Sequence, residues 1–408
     1  MNDDSLLLGF TAPIFRDPHG GLFLERQTIS GLKAWRENFS RVVAFSICSD
    51  GPVPEGWEEA EAAGIKAPEI EIVPLPDTYA PGIYRRERKR LEALMLRLMR
   101  QTQYHTFGYG GWIGDPGEIA ARVARRHDIA HAVWFDRVES NVIMSTPAEG
   151  LAARLKRRIR SNIVRRNENR AVRGANLSLL HGASVFAHFS ALARKAALVE
   201  DVHYSHADRI DRTGVARKLE DARQGPLRIL YCGRASAMKG PLDWITVLAG
   251  LKAAGVDFTA RWVGDGEMLP EMRKAAADAG LSEHALCFEG FVSDPELVRN
   301  FYREAQVLLF CHLTDESPRN LIESLHSATP LIGYGDPFSS GLVAERQAGI
   351  LAPRGDSAAL VQTLITLDRD RTRLVDLIRR ASESAGQLTR DNVFHHRSAI
   401  IRQQATGS

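Results

Sequence analysis

The chain has little of what announces a special chemistry. Its 408 residues include only four cysteines, Cys48, Cys232, Cys287 and Cys311, with no CxxC pair and no histidine at zinc spacing. That argues against a disulfide framework or a zinc site, and the four read as buried thiols of a reducing compartment. Apolar runs are short: the softest stretch, residues 177–199, is broken by His181, His188, Arg194 and Lys195, so no segment reads as a membrane span. The first residues, Met1-Asn2-Asp3-Asp4, are acidic where a secretion signal needs positive charge, and the apolar run at residues 6–10 is too short for one. The expected setting is the cytoplasm. Internal repeats and low-complexity tracts are also missing.

What is present is ordinary globular composition, 44% hydrophobic and 25% charged, in a chain too long for one core. Two domains are expected. The net charge of +3 is small, but its placement is uneven. Residues 85–90 read RRERKR, from Arg85 to Arg90, and open a helix with Leu91, Leu94, Met95 and Leu98 on one stripe. Between Arg154 and Arg170 stand eight basic residues and one acidic, Glu168, with Leu155, Ile159 and Ile163 at i, i+4, i+8. Such helices either pack their stripe onto the domain and solvate their charges or lie on anionic lipid at the inner face of a membrane. Nucleic acid is not expected, because no binding motif or stacking platform accompanies the charge.

The second half alternates strand and helix patterns. Leu227 to Cys232, Phe258 to Val263, Leu286 to Phe288 and Val307 to Cys311 read as strands. Between them, Trp244, Val247, Leu248 and Leu251 form one helical face, Leu269, Met272 and Ala276 a second that Gly280 caps, and Ser293-x-x-Glu296 resembles a capping box with Pro295 in the first turn. Strands alternating with helices make a parallel sheet. The first half predicts strands at 6–10, 42–47, 70–75, 132–135 and 177–180 and helices at 22–35, 83–101, 117–126 and 151–166. The fold class is therefore α/β, with two doubly wound, Rossmann-like domains. The polar segment 208–225 reads as a linker between a domain at 1–207 and one at 226–385, and residues 386–408 as a tail crossing back to the first.

Open parallel sheets bind ligands beyond the carboxyl ends of their strands. After the first strand of the second half, Cys232-Gly233-Arg234-Ala235-Ser236-Ala237-Met238-Lys239-Gly240 sets an Arg and a Lys five residues apart at a helix entry. Free amides there favour an anion, and the two cations suit a diphosphate without a metal; two surface cations on a tight turn are the plainer account. After Val307 to Cys311 comes His312-Leu313-Thr314-Asp315-Glu316-Ser317-Pro318-Arg319-Asn320-Leu321-Ile322-Glu323. Its carboxylates can accept bonds from sugar and ribose hydroxyls; alternatively Ser317 caps the helix, with Asp315 and Glu316 complementing its dipole. Glu323 favours the first account, because the pattern gives it no partner.

GRASAMKG, VGDGEML, FEGFVSD, VLLFCH and DESPRNLIESLHSATPLIGY, in this order, resemble the donor-binding domain of the retaining glycosyltransferases of the GT-B fold, family four, over residues 226–385. The resemblance implies two domains facing a cleft and transfer of a hexose-type sugar from a nucleotide-sugar donor to an acceptor hydroxyl, with no cofactor and no metal; the basic helices suggest a glycan or lipid-linked acceptor, in polysaccharide or lipid-linked glycan assembly at the inner membrane face. Arg234 and Lys239 would hold the donor diphosphate, Glu323 the ribose, and the loop at Phe291 and Val292 the base. The backbone of Pro318, Arg319, Asn320 and Leu321 would close on the sugar. The acidic residue at the motif's head falls on Asp315 by spacing from Glu323 and on Glu316 by the local Glu-Ser-Pro sequence; Glu316 is favoured.

In the first half, His19-Gly20-Gly21 is similar to the family's glycine-rich loop, or is a plain turn, and Gly108-Tyr109-Gly110-Gly111-Trp112 either shapes an acceptor pocket or connects elements. The family's histidine near the reacting sugar is not evident; Phe135-Asp136 stands in that place, leaving Asp136 and Glu139 as acceptor contacts or as members of an ion network with Arg137. Gly264-Asp265-Gly266 is not a dinucleotide fingerprint, because Leu269 occupies its third glycine position. Rival readings are an epimerase or sugar phosphorylase of the same fold, a non-catalytic nucleotide-binding module, and a lipid-surface scaffold.

Overall fold

The computed structural model describes all residues except 1–3, 146–149, 316, 385, 387 and 406–408. The chain divides into two units, one running to His203 and resuming at Asp391, the other spanning Tyr204–Arg390.

Among the described residues the first unit contains strands β1 (Ser5–Gly9), β2 (Ile14–Arg16), β3 (Leu22–Glu25), β4 (Arg41–Asp50), β5 (Trp57–Glu59), β6 (Ile70–Leu75), β7 (Tyr104–Gly108), β8 (Ala132–Phe135), β9 (Leu177–His181) and β10 (Ala196–Val199). Parallel pairing runs β6-β4-β1-β7-β8-β9-β10, and the antiparallel ribbon β2-β3-β5 extends from the end of β4. Helices cover both faces, so β1 is buried along its length: Leu7 joins one buried layer with Val43 and Phe107, while Leu6 and Leu8 join the other with Val42 and Leu179. Each such side chain contributes about 1.5–3 kcal/mol when fully buried. The helix Arg390–Ala405 brings Phe394 edge-on to Trp35 at 5.0 Å and sets the Arg397 guanidinium 4.1 Å over Trp134.

The second unit holds β11 (Leu227–Cys232), β12 (Phe258–Val263), β13 (Leu286–Gly290), β14 (Val307–Phe310), β15 (Leu331–Tyr334) and β16 (Gly349–Ala352) in an all-parallel sheet of order β13-β12-β11-β14-β15-β16. Chain direction along the sheet reverses between β11 and β14. The first unit reverses likewise between β1 and β7. In a doubly wound sheet, ligands bind at this switch point.

Several expectations change. Residues 22–25 are strand β3, and the helix begins only at Arg26; the ribbon's pairing with β5 overrides the helical pattern. Gly20 and Gly21 sit in the tight turn joining β2 to β3, where Asp17 accepts from the Gly21 amide at 2.7 Å, rather than in a loop entering a helix. Asp294, not Ser293, caps the helix Pro295–Glu304 by accepting from the Glu296 amide at 2.9 Å. Of the cysteines only Cys311 is buried; Cys48 and Cys232 are half-buried and Cys287 is exposed.

The segment 208–225 is not a free linker. It belongs to the second unit and contains the helix Arg212–Asp221. Lys218, 2% exposed, donates to the carbonyls of Tyr302 at 3.0 Å and Ser327 at 2.8 Å and to the Thr329 hydroxyl. Burial pushes its pKa well down, while the three acceptors match its three N–H bonds. Composition misleads here because one of the charges that made the segment look solvated is a core residue. Lys218→Ala should lower stability by about 2–4 kcal/mol, read from urea midpoints, against little change for the exposed neighbour Arg217→Ala. Equal midpoints for both would return the segment to linker status.

Candidate active site

The loops at the carboxyl end of the second sheet are bonded to one another. Gly233 N donates to Val263 O at 2.8 Å, Ala235 N to Asp265 O at 2.9 Å, Gly264 N to Gly290 O at 2.8 Å and Leu313 N to Met238 O at 2.8 Å. The loop after β11 is thereby tied to those following β12 and β14. Gly240, at φ +60°, makes this approach possible: a Cβ there would lie 2.0 Å from the Cys311 carbonyl oxygen. The helix Pro241–Ala253 starts immediately after it, directing unpaired amides toward the loop.

On this platform Arg234 is exposed and, among the described residues, has no ion-pair partner. Lys239 ends the short turn Ala237–Lys239. Its charge, together with the larger effect of burial, pushes the His312 pKa well down, so this imidazole is neutral. His312 is buried at the end of β14 with Nε2 3.0 Å from the Tyr231 hydroxyl, and Tyr231 stacks on Trp262 at 4.1 Å between centroids. Tyr231, Trp262 and His312 thus form a buried aromatic cluster against the start of this loop, where a Cβ on Gly233 would lie 3.1 Å from the Tyr231 ring.

The helix Arg319–His326 has Pro318 as its N-cap and no side-chain cap, so Ser317 does not fill that role. Arg319, Asn320 and Leu321 form its first turn. Asn320 donates to the Cys232 carbonyl at 2.7 Å, joining this turn to the end of β11. Glu323, one turn on, has a partner that the sequence did not offer: the Tyr302 hydroxyl donates to it at 3.3 Å. Burial and then the Glu323 carboxylate push the Cys232 thiol up to about 12. Asp315 pairs with Arg354, and Glu316 lies outside the described residues. Phe291 is 65% exposed beyond β13, with Val292 half-buried beside it. Elsewhere in this unit a cavity of about 640 Å³ is lined by Arg209, Lys218, Arg228 and Glu304. It lies by the amino end of β11, away from these loops.

In the first unit a cavity of about 660 Å³ gathers at the ends of β1, β7 and β8, lined by Thr11, Tyr79, Tyr109, Gly110, Trp112, Asp136, Arg137, Glu139 and Arg160. Asp136 accepts from the Trp134 indole N–H, and Arg137 pairs with Glu139 at 2.7 Å. The expected three-residue ion network is thus reduced, among the described residues, to the Arg137–Glu139 pair, and that pair and Asp136 all line the cavity. Gly20 and Gly21 are not among the lining residues. Sequence reasoning missed Tyr79 and Arg160, which reach the cavity from distant segments, and also missed Asp115, the residue that fixes Tyr79. Asp115, buried, accepts from Glu118 N at 2.9 Å, Gly110 N at 3.1 Å and the Tyr79 hydroxyl at 2.9 Å. The Arg160 guanidinium sits 4.7 Å from the Trp112 ring centre. Aromatic faces beside carboxylates suit a polyhydroxylated ligand.

Residues 215–384, all within the second unit, match the model of the family described as glycosyl transferases group 1. Among curated proteins the chain is similar to the 2-deoxystreptamine glucosyltransferase of Streptomyces kanamyceticus, 31% identical over 140 residues, 34% of this chain and 35% of that protein. It is also similar to the amylovoran biosynthesis glycosyltransferase AmsK of Erwinia amylovora, 29% identical over 167 residues, 40% of each. The matched part spans roughly a third to two fifths of these relatives. Among solved structures, Anabaena HepE in complex with UDP and glucose superposes with a TM-score of 0.69 at 15% identity, covering 98% of this chain and 100% of that one. The fold is that of the GT-B glycosyltransferases.

Burial, the largest effect, pushes the Asp115 pKa up to about 6, against the bonds that it accepts. A folded value above the unfolded one near 3.9 means that the native state holds the proton longer, so stability falls as pH rises from about 4 to about 6. This group should contribute a decline of about 2–3 kcal/mol over that window, and Asp115→Asn should remove that share in denaturation at stepped pH. An unchanged slope in the variant would contradict the assignment.

Proposed function

We propose that the chain is a glycosyltransferase that moves a hexose-type unit from a nucleoside-diphosphate sugar to an acceptor hydroxyl with retained anomeric configuration. The observation that carries this reading is the pairing of Arg234 and Lys239 on one loop at the second sheet's switch point, bonded to the segment that leads to Glu323. A guanidinium and an ammonium there neutralise the charge that builds on a departing diphosphate, and helix amides add to them. Neutral His312 beneath Lys239 adds no competing charge. Glu323 accepts from the ribose hydroxyls, and Phe291 gives the base an apolar face.

Retention and the hexose follow the family resemblance. UDP-glucose is the first donor to test, because the similar HepE structure contains UDP and glucose. The acceptor binds in the first-unit cavity, with Asp136 and Glu139 on its hydroxyls and Tyr79 and Trp112 against its ring faces. AmsK, named for amylovoran biosynthesis, favours a glycan acceptor in polysaccharide assembly. The departing diphosphate oxygen, steadied by Arg234 and Lys239, takes the acceptor proton as the new glycosidic bond forms on the same face.

Lys239→Ala should lower turnover about 10²- to 10³-fold with the melting temperature unchanged, in an assay that follows both donor consumption and glycoside product. Turnover equal to the parent chain would remove Lys239 from the reaction. Glu323→Ala should raise the donor KM more than it lowers kcat. A thermal-shift screen of UDP-, GDP- and ADP-sugars identifies the base, since only the bound donor raises the melting temperature.

A further inference from the structure

The basic helices divide once their partners are known. In the helix Pro81–Arg100, Arg86 pairs with Glu87 at 3.1 Å and Arg88 with Glu92 at 2.9 Å, and Arg122 and Arg126 from a neighbouring helix also reach Glu92. Arg90 also reaches Glu87 at 3.5 Å, so three of the five cations at residues 85–90 have a carboxylate partner.

The helix Leu151–Gly174 differs in both charge and packing. Its first ten residues include five basic and no acidic side chains. Leu151, Leu155 and Ile159 are 85%, 60% and 51% exposed and Ile163 is half-buried, so of the two readings of the stripe, packed or outward, its first half takes the outward one. The residues that do pack, among them Val164, Glu168, Ala171 and Val172, lie on the opposite side. At about 100° per residue, Leu151, Leu155 and Ile159 share one arc with Arg166, Arg170 and Arg173 of the helix's second half. There the three arginines, with Asn169, Gly174 and Arg125 from the neighbouring helix, line a cavity of about 460 Å³ that has no carboxylate in its lining. None of the four arginines has an ion-pair partner among the described residues, and Arg125 Nη1 is buried without a hydrogen bond. Burial, the largest effect, pushes the Arg125 pKa down; the charges of Arg170 and Arg122 add to it, and Glu118 and Tyr109 oppose it.

We infer that the outward face of the helix Leu151–Gly174 is a docking surface for an anionic phospholipid bilayer, with its aliphatic stripe at the acyl boundary and the arginine cavity holding lipid phosphates. A free phosphate satisfies the guanidiniums but gains nothing from three exposed aliphatic side chains; a bilayer satisfies both halves of the face. The helix then lies in the interface plane. This inference is independent of the transfer reaction, because its test reads binding alone.

The test is flotation of the full chain with phosphatidylcholine vesicles, with and without phosphatidylglycerol, over a salt series. The chain should float only with the anionic vesicles, and less as salt rises. Leu155→Gln with Ile159→Gln should cut the partition about tenfold or more. Arg166→Gln with Arg170→Gln should cut it about tenfold and flatten the salt dependence. All four residues are exposed, so the melting temperature serves as the folding control. Equal flotation with neutral vesicles, parent-like flotation of both variants, or binding of inorganic phosphate without any flotation would overturn the proposal.

Discussion

The loops after β11 and β14 can lie side by side, bonded to each other, because the second sheet reverses its direction of chain progression between these strands. Neighbouring loops elsewhere in a doubly wound sheet are covered by crossover helices of the same hand; at the reversal the helices diverge and leave a crevice. Gly240 brings the two loops into contact, since any side chain there would collide with the Cys311 carbonyl. Arg234, Lys239, Asn320 and Glu323 are distant or moderately spaced in sequence but belong to one edge for this topological reason. Their chemistry, two cations on the loop after β11 and a carboxylate on the helix that follows β14, follows from that placement.

The first unit repeats the arrangement with different side chains. Its reversal between β1 and β7 opens a cavity where aromatic rings and carboxylates join two arginines, Arg137 and Arg160. Asp115 maintains it: one buried carboxyl caps a helix, holds the Gly110 amide and orients Tyr79. Such a group is costly to bury charged and costly to lose, and its raised pKa records that tension. The division of labour between the two edges, anion-binding in one and hydroxyl-binding in the other, is what the proposed reaction requires.

The second half was legible because its strands are short apolar runs separated by punctuated helices, and β11 to β14 fall close to where those runs predict them. In the first half, β3 was hidden within a helical pattern because ribbon pairing decided its conformation, and β7, Tyr-His-Thr-Phe-Gly, carries too few apolar residues in a row to stand out. The segment 208–225 misled through composition, with Lys218 concealed in the core. At the candidate site, Arg234 and Lys239 could be read because they share one loop. Tyr302, which supplies the partner of Glu323, and Tyr79, which reaches the cavity from the loop after β6, could not. Contacts across long separations leave no local periodicity. The stripe at Leu155 and Ile159 was visible as a pattern, but which way it faced was a tertiary fact.

The central claim is that the edge beside β11 and β14 holds a diphosphate through Arg234 and Lys239. A crystal structure of the chain with UDP tests it most directly. The account predicts phosphate oxygens about 2.7–3.1 Å from both side chains, with the ribose hydroxyls on Glu323. A nucleotide bound elsewhere, with Arg234 and Lys239 turned to solvent, would contradict it.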